Sequence, residues 1–175
     1  MSESHKTLRV VASNPKMSNS SVASYSTRMW DKVEQVSAAG HLPAFGHQGY
    51  FDQGKNFAAV RHCHGRLIYV VFGEMHVGLN TESIVVRSKS ALWIPPLIRH
   101  ELLVGPGTTF NTVYVNVMLT SHLPPVNWRF SASPLLEQVS NSLSETSLGS
   151  KVTKRNKLLA AVLIDEVNNS RLTEI

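Results

Sequence analysis

Cysteine is nearly absent from this chain. Cys63 is the only one among 175 residues, so no disulfide can form within the chain. A single cysteine fits a reducing compartment. Cys63 is expected to be a small apolar side chain rather than a reactive thiol.

Long apolar runs are also missing. The longest are Leu67 to Phe72 and Leu158 to Ile164, and both are far too short to cross a bilayer. The first 25 residues lack the continuous apolar stretch of a signal peptide. The sequence therefore predicts a cytoplasmic protein that does not contact membranes.

Positive charge is present but not concentrated. The chain has 17 Lys and Arg against 12 Asp and Glu, for a formal net charge of +5. From Ser131 onward five basic residues balance five acidic ones, and no basic stripe is interleaved with aromatic residues. We therefore expect no DNA binding by this chain alone. Nucleophile-elbow, phosphate-loop and dinucleotide motifs are missing as well.

Short strand patterns fill the middle of the sequence. Runs rich in Val, Ile, Leu and aromatic residues are separated by turn signals containing Gly, Pro, Asn and Ser. Many short strands at close spacing predict an antiparallel barrel or jelly roll. We assign a weakly ordered arm to residues 1–40 and the barrel to residues 41–125. The predicted strands are Leu67–Phe72, Met75–Leu79, Ser83–Val86, Ala91–Ile94, His100–Val104 and Thr109–Val117.

The pattern becomes helical over residues 126–175. Ser133 suits an N-cap with Pro134 in the first helical position, and Gly149 suits the end of that helix. A second helix is predicted from about Thr153 to Ser170. Its apolar stripe is wide enough to pack on the first helix and also on another subunit. We expect a homodimer whose interface contains Leu159, Leu163, Ile164 and Val167.

Two histidine motifs are the most informative features. His62 and His64 are two residues apart, so on an extended segment their side chains point the same way. His100 follows a proline-stiffened strand end and could meet them inside a small barrel. An inward Arg66 beside these histidines would need an anion nearby.

These motifs resemble a known family. The run from His62 to Val77 looks like the first cupin motif, and Ala91 to His100 looks like the second. Together they are similar to the N-terminal cupin domain of AraC-type bacterial transcriptional regulators, over roughly residues 55–170. The resemblance implies a ligand-sensing and dimerisation domain, normally joined to two helix-turn-helix units. Such a DNA-binding domain is absent from this chain, so DNA contact would require it.

The combined expectation is a mainly β protein with C-terminal helices, in which a cupin or jelly-roll β-barrel precedes a two-helix dimerisation element. Its predicted function is effector sensing within an AraC-type regulator, without enzyme activity and without a cofactor. The effector is a small molecule, and Arg66 favours an anion over a neutral sugar. The predicted ligand-binding residues are His62, His64, Arg66, Trp93, His100 and Tyr114.

A metal-dependent cupin enzyme is the alternative, acting as an oxidase, dioxygenase or isomerase. His62, His64 and His100 could hold a divalent metal with an open fourth position. The resemblance places the glutamate ligand of metal-binding cupins at Ile68 or Tyr69, where this chain has no carboxylate. Arg66 would also oppose a bound dication.

Overall fold

Nine β-strands and two α-helices make up the part of the chain that the structure, a computed structural model, describes: residues 41–147 and 149–170. No helix in this part is long and apolar enough to span a membrane. The strands are β1 (Ala44–Phe51), β2 (Lys55–Val60), β3 (Gly65–Phe72), β4 (Glu74–Leu79), β5 (Ser83–Arg87), β6 (Ser90–Ile94), β7 (His100–Val104), β8 (Thr108–Val115) and β9 (Trp128–Ser131). The helices are α1 (Pro134–Ser144) and α2 (Lys154–Asn169).

The strands form two antiparallel sheets. One has the order β1-β8-β3-β6-β9 and the other β2-β7-β4-β5. The first eight strands are thus divided between two four-stranded groups, as in a double-sheet jelly roll, and β9 extends one edge. The predicted mainly β fold with C-terminal helices is confirmed. Within the described residues the jelly roll consists of two separate sheets.

Alternation along the strands creates two apolar layers. On β3, Ile68 and Val70 face the opposite sheet, whereas Leu67 and Tyr69 face the helices. Because both faces are covered, this strand is a continuous apolar run rather than an alternating one. The layer between the sheets is built from Phe51, Ile68, Val70, Met75, Val77, Val86, Leu92, Ile94, Leu102, Val104 and Phe110.

The two helices cover the outer face of the five-stranded sheet. The Ser133 hydroxyl accepts a hydrogen bond from the Leu136 amide, and the Thr153 hydroxyl accepts one from the Asn156 amide, so each helix begins with a side-chain cap. Asn156 also donates from Nδ2 to the Ala44 carbonyl at 2.8 Å, which attaches α2 to β1. The buried apolar side chains of the helices are Leu136, Val139, Leu143, Ala160, Leu163 and Val167.

This packing changes the interpretation of the apolar stripe on α2. Leu163 and Val167 are fully buried within the single chain, and Leu159 and Ile164 are half-buried against the same core. The outer face of the five-stranded sheet is apolar and must be covered. The α2 side chains that the sequence assigned to a dimer interface cover this face instead. The assignment of Leu163 and Val167 to that interface is therefore corrected.

Several boundaries differ from the sequence prediction. β1, β2 and β9 were not predicted, and β9 lies within residues 126–175, which were assigned to helices. The last predicted barrel strand ends at Val115, because Asn116 accepts a hydrogen bond from the Met118 amide and begins a short 3-10 helix over Val117–His122. The first helix ends at Ser144 rather than near Gly149. The predicted arm, residues 1–40, lies outside the described residues.

Replacing Leu163 by alanine should lower the free energy of unfolding by about 2–5 kcal/mol, because the change leaves a cavity in a closed core. Leu158 is on the same helix but is 57% exposed. Leu158→Ala should change the free energy by no more than about 0.5 kcal/mol. Chemical denaturation of both variants measures the difference, and equal effects would contradict the described packing of α2.

Candidate ligand-binding site

One end of the space between the sheets is polar. It lies where β1 and β3 begin and β8 ends, and β7 begins opposite with His100. Pairing places Arg66 beside both Ile94 and Tyr114 in one row across the sheet. We call this region the polar end. Its buried polar and aromatic side chains are Phe45, His47, His62, His64, Arg66, His100, Thr112 and Tyr114.

Arg66 occupies the centre of the polar end and is fully buried. Its Nη1 donates a hydrogen bond to His100 Nε2 at 2.9 Å. Its Nε and Nη2 donate to the Thr112 hydroxyl at 3.4 and 3.3 Å. The guanidinium carbon lies 5.4 Å from the centre of the Tyr114 ring, within cation–π range. Burial lowers the pKa of Arg66 to about 10, so the side chain stays charged at neutral pH.

His100 is held as a neutral acceptor. Its Nδ1 lies 2.9 Å from the Ile98 carbonyl oxygen, which can only accept, so Nδ1 carries the proton. Nε2 therefore presents a lone pair to Arg66. Burial, and then the charge of Arg66, lower the pKa of His100 to about 3.

His62 has the same tautomer as His100. Its Nδ1 donates to the His64 carbonyl oxygen at 2.9 Å. Its ring centre lies 5.2 Å from that of Tyr114 and 5.4 Å from that of His100. Burial, and then the charge of Arg66, lower the pKa of His62 to about 4.

His62 and His64 do not lie on a strand. They belong to the loop between β2 and β3. Their rings contact different neighbours. The edge of the His64 ring packs on Phe45 with centres 5.3 Å apart, and burial lowers the pKa of His64. Cys63 is half-buried, with Sγ 3.6 Å from His64 Nδ1.

The structure does not bring Trp93 to the polar end. β6 directs Ile94 inward, so Trp93 points to the outer face among the residues that pack under the helices. Its Nε1 donates to the Pro124 carbonyl at 2.9 Å. The ring covers Gly65, where a Cβ would lie only 2.0 Å from a ring carbon. Trp93 supports the sheet beneath the site.

The three predicted metal ligands do not fit a divalent metal. Within residues 41–147 and 149–170, no three His, Cys, Asp or Glu side chains are grouped to hold one. His100 Nε2 already accepts from a cation, and a dication at that nitrogen would be repelled by Arg66.

Three members of the polar end were not predicted from the sequence: Phe45, His47 and Thr112. Thr112 lies two residues before Tyr114 on β8, and strand alternation alone would have placed both on one face. His47 was not predicted as a site residue, but it is on β1 with its ring centre 6.1 Å from that of Tyr114. Burial, and then the charge of Arg66, lower the pKa of His47 to about 3.

Comparisons with known proteins find similarity in structure rather than in sequence. No family model matches the chain, and no curated protein is similar in sequence. An RmlC-like cupin from Shewanella frigidimarina matches with a TM-score of 0.40 and 23% identity, over 42% of this chain and 67% of that one. KdgF from a Halomonas species matches with a TM-score of 0.40 and 23% identity, over 43% and 72%.

An oxalate decarboxylase from Bacillus subtilis is also similar, as its S161A mutant. It has a TM-score of 0.38 and 16% identity, over 43% of this chain and 22% of that one. The expectation that the chain is not an enzyme is contradicted to this extent: an oxalate decarboxylase is among its structural neighbours, so the fold does not settle whether this chain is an enzyme. At these scores the likeness carries no argument about the function of this chain.

The histidine pKa values predict loss of stability in mild acid. Those of His47, His62 and His100 are lowered in the folded chain from 6.5 to about 3, 4 and 3. Between those values and 6.5 the unfolded chain binds more protons than the folded chain. The free energy of unfolding should therefore be highest above pH 6.5 and fall as pH drops, by up to about 1.4 kcal/mol per pH unit for each histidine.

Urea denaturation between pH 7.5 and 5 measures this slope before most carboxylates titrate. His62→Gln should reduce the slope, because one group with a lowered pKa is removed. Leu158→Ala changes an exposed side chain that does not titrate, so it should leave the slope unchanged. Constant stability over this range would contradict the buried, neutral histidines.

Proposed function

We propose that this chain is the effector-sensing and dimerisation domain of an AraC-type transcriptional regulator, and that it binds a small anion at the polar end. The observation that carries the proposal is the fully buried Arg66 guanidinium, placed among His62, His100 and Tyr114. The resemblance of the two histidine motifs to such regulators supports the wider assignment. Helices that follow the jelly roll and cover its outer face support it as well.

An anion is the ligand class that the charges favour. A buried guanidinium loses its hydration, and the lowered pKa of Arg66 reflects this cost. A carboxylate would add charge-assisted hydrogen bonds of matching planar geometry. Because the neighbouring rings are in contact, the ligand must be small.

β8 connects the polar end to the helices, so a change at the ligand could reach them through this strand. Thr112 and Tyr114 face the polar end, whereas Asn111 and Val113 face outward. Asn111 Nδ2 donates to Asn141 Oδ1 of α1 at 2.5 Å. If the ligand binds one arrangement of β8 with higher affinity than another, its binding would favour that arrangement. The position of the helices on the sheet would then change with it. The exposed apolar side chains near and on the helices, Leu135, Val152 and Leu158, are available for dimer contact.

A thermal-shift screen of small carboxylates, neutral sugars and divalent metals tests the proposal. A ligand that binds only the folded chain at a hundred times its Kd should stabilise it by about 2.7 kcal/mol. We expect carboxylates to raise the melting temperature of the wild type by several degrees and to have no such effect on Arg66→Gln.

Arg99→Gln is the matched control, because Arg99 is exposed and next to His100 in sequence. It removes the same charge and should keep the full shift. Stabilisation by metals alone, lost in His62→Ala and His100→Ala, would contradict the proposal and favour a metal-dependent cupin enzyme.

A further inference from the structure

An open cleft lies between two strands at the edges of different sheets. In the described residues β5 is at the edge of the four-stranded sheet and β9 at the edge of the five-stranded sheet. The cleft has a volume of about 370 Å³, which is at the lower end of the range for small-molecule sites. Ser90 on its wall begins β6, whereas Ile94 beside the polar end finishes that strand, so the two sites are separate. The cleft is lined by Val85, Arg87, Ser90, Arg129, Phe130 and Ser131.

Arg129 reaches across the cleft from β9. It pairs with Leu92, whose side chain belongs to the core between the sheets, so the Arg129 side chain leaves β9 on the same face. From there Nη1 donates a hydrogen bond to the Val85 carbonyl oxygen of β5 at 3.0 Å. This bond holds the guanidinium in place with one nitrogen. Nε and Nη2 are left as donors for a ligand.

Arg87 supplies a second guanidinium from β5. Its Nε lies 3.7 Å from Glu74 Oε2, and both side chains are at least half exposed, so this ion pair is weak. The two terminal nitrogens of Arg87 lie beyond that contact. Glu74 is not among the residues that line the cleft, and in the described part of the chain no other carboxylate lines it. The lining side chains therefore carry positive charge alone.

Two hydroxyl groups complete the donor set. Ser90 and Ser131 are directly opposite each other on β6 and β9, so their side chains are on one face of the sheet. Both line the cleft, and each hydroxyl can donate one hydrogen bond. The cleft thus combines two guanidinium groups with two hydroxyl donors. This is a donor set for an anion with several oxygens.

We propose that this cleft binds the phosphate group of a small phosphate monoester, separately from the ligand of the polar end. Near neutral pH such a group carries a charge of about −1.5 to −2 and three terminal oxygens. Two guanidinium groups match that charge, and their planar forks suit paired phosphate oxygens. A carboxylate has one charge and two oxygens, so it would engage one arginine and leave the other unpaired. The rest of the cleft has room for the organic part of the ligand.

NMR titration of the wild-type chain at pH 7.5 tests the proposal with methyl phosphate and dimethyl phosphate. The second compound has one more methyl group, which removes one negative charge and one terminal oxygen. Methyl phosphate should shift the backbone amide signals of β5 and β9. It should bind about tenfold more tightly than dimethyl phosphate, because only the dianion engages both arginines.

Variants of the two arginines locate the site. Arg87→Gln and Arg129→Gln should each weaken the binding of methyl phosphate about tenfold. Arg129→Lys keeps the charge and one donor for the Val85 carbonyl but loses the fork, so it should regain only part of the affinity. Arg99 is exposed and lies in the loop before β7. Arg99→Gln removes the same charge away from the cleft and should keep the full affinity.

The wild-type titration does not depend on how the variants fold. Unchanged β5 and β9 signals would overturn the proposal, as would equal affinities for the two phosphates. Salt-sensitive shifts spread over all exposed Lys and Arg residues would also overturn it, since they would show nonspecific ion binding. Shifts confined to the polar end and lost in Arg66→Gln would assign phosphate to that site and overturn the cleft. Failure of carboxylates to bind at the polar end would overturn the proposed function alone.

Discussion

A guanidinium ion buried between two sheets is the constraint on which the polar end depends. Arg66 must keep acceptors around it, and His100 Nε2 can accept only because the Ile98 carbonyl holds the proton of that ring on Nδ1. Burial, and then this charge, lower the pKa values of His62 and His100. Backbone carbonyls thus fix the tautomers of His62 and His100, and burial together with Arg66 keeps both rings neutral. Replacing Arg66 would remove the donor to two buried acceptors, His100 Nε2 and the Thr112 hydroxyl.

The polar end is separate from the apolar core that stabilises the fold. On β3 the inward positions change from Arg66 to Ile68 and Val70, so the same strand begins in the site and continues in the core. The outer face of the sheet is closed by α1 and α2, and Trp93 fills the space over Gly65. The site is therefore built on strands packed on both faces, which limits its movement.

Sequence patterns predicted the fold better than the site. Turn residues and apolar runs were sufficient for six strands and both helices, because those signals are local. Trp93 and the α2 stripe were misplaced because their neighbours depend on which face of a strand or helix is covered. His47 gave no local signal, since its partners come from distant strands. The grouping of Arg66 with His100 followed from the motif, but the direction of their hydrogen bond required the backbone contacts.

The tautomers of His62 and His100 test the account most directly. Nitrogen-15 NMR of the two imidazole rings at pH 7 distinguishes the neutral forms from the imidazolium. The account predicts that both rings are neutral, with the proton on Nδ1 and an unprotonated Nε2. An imidazolium, or a proton on Nε2 of either ring, would contradict it, since neither form of His100 could accept a hydrogen bond from Arg66 and neither form of His62 would present an acceptor at Nε2.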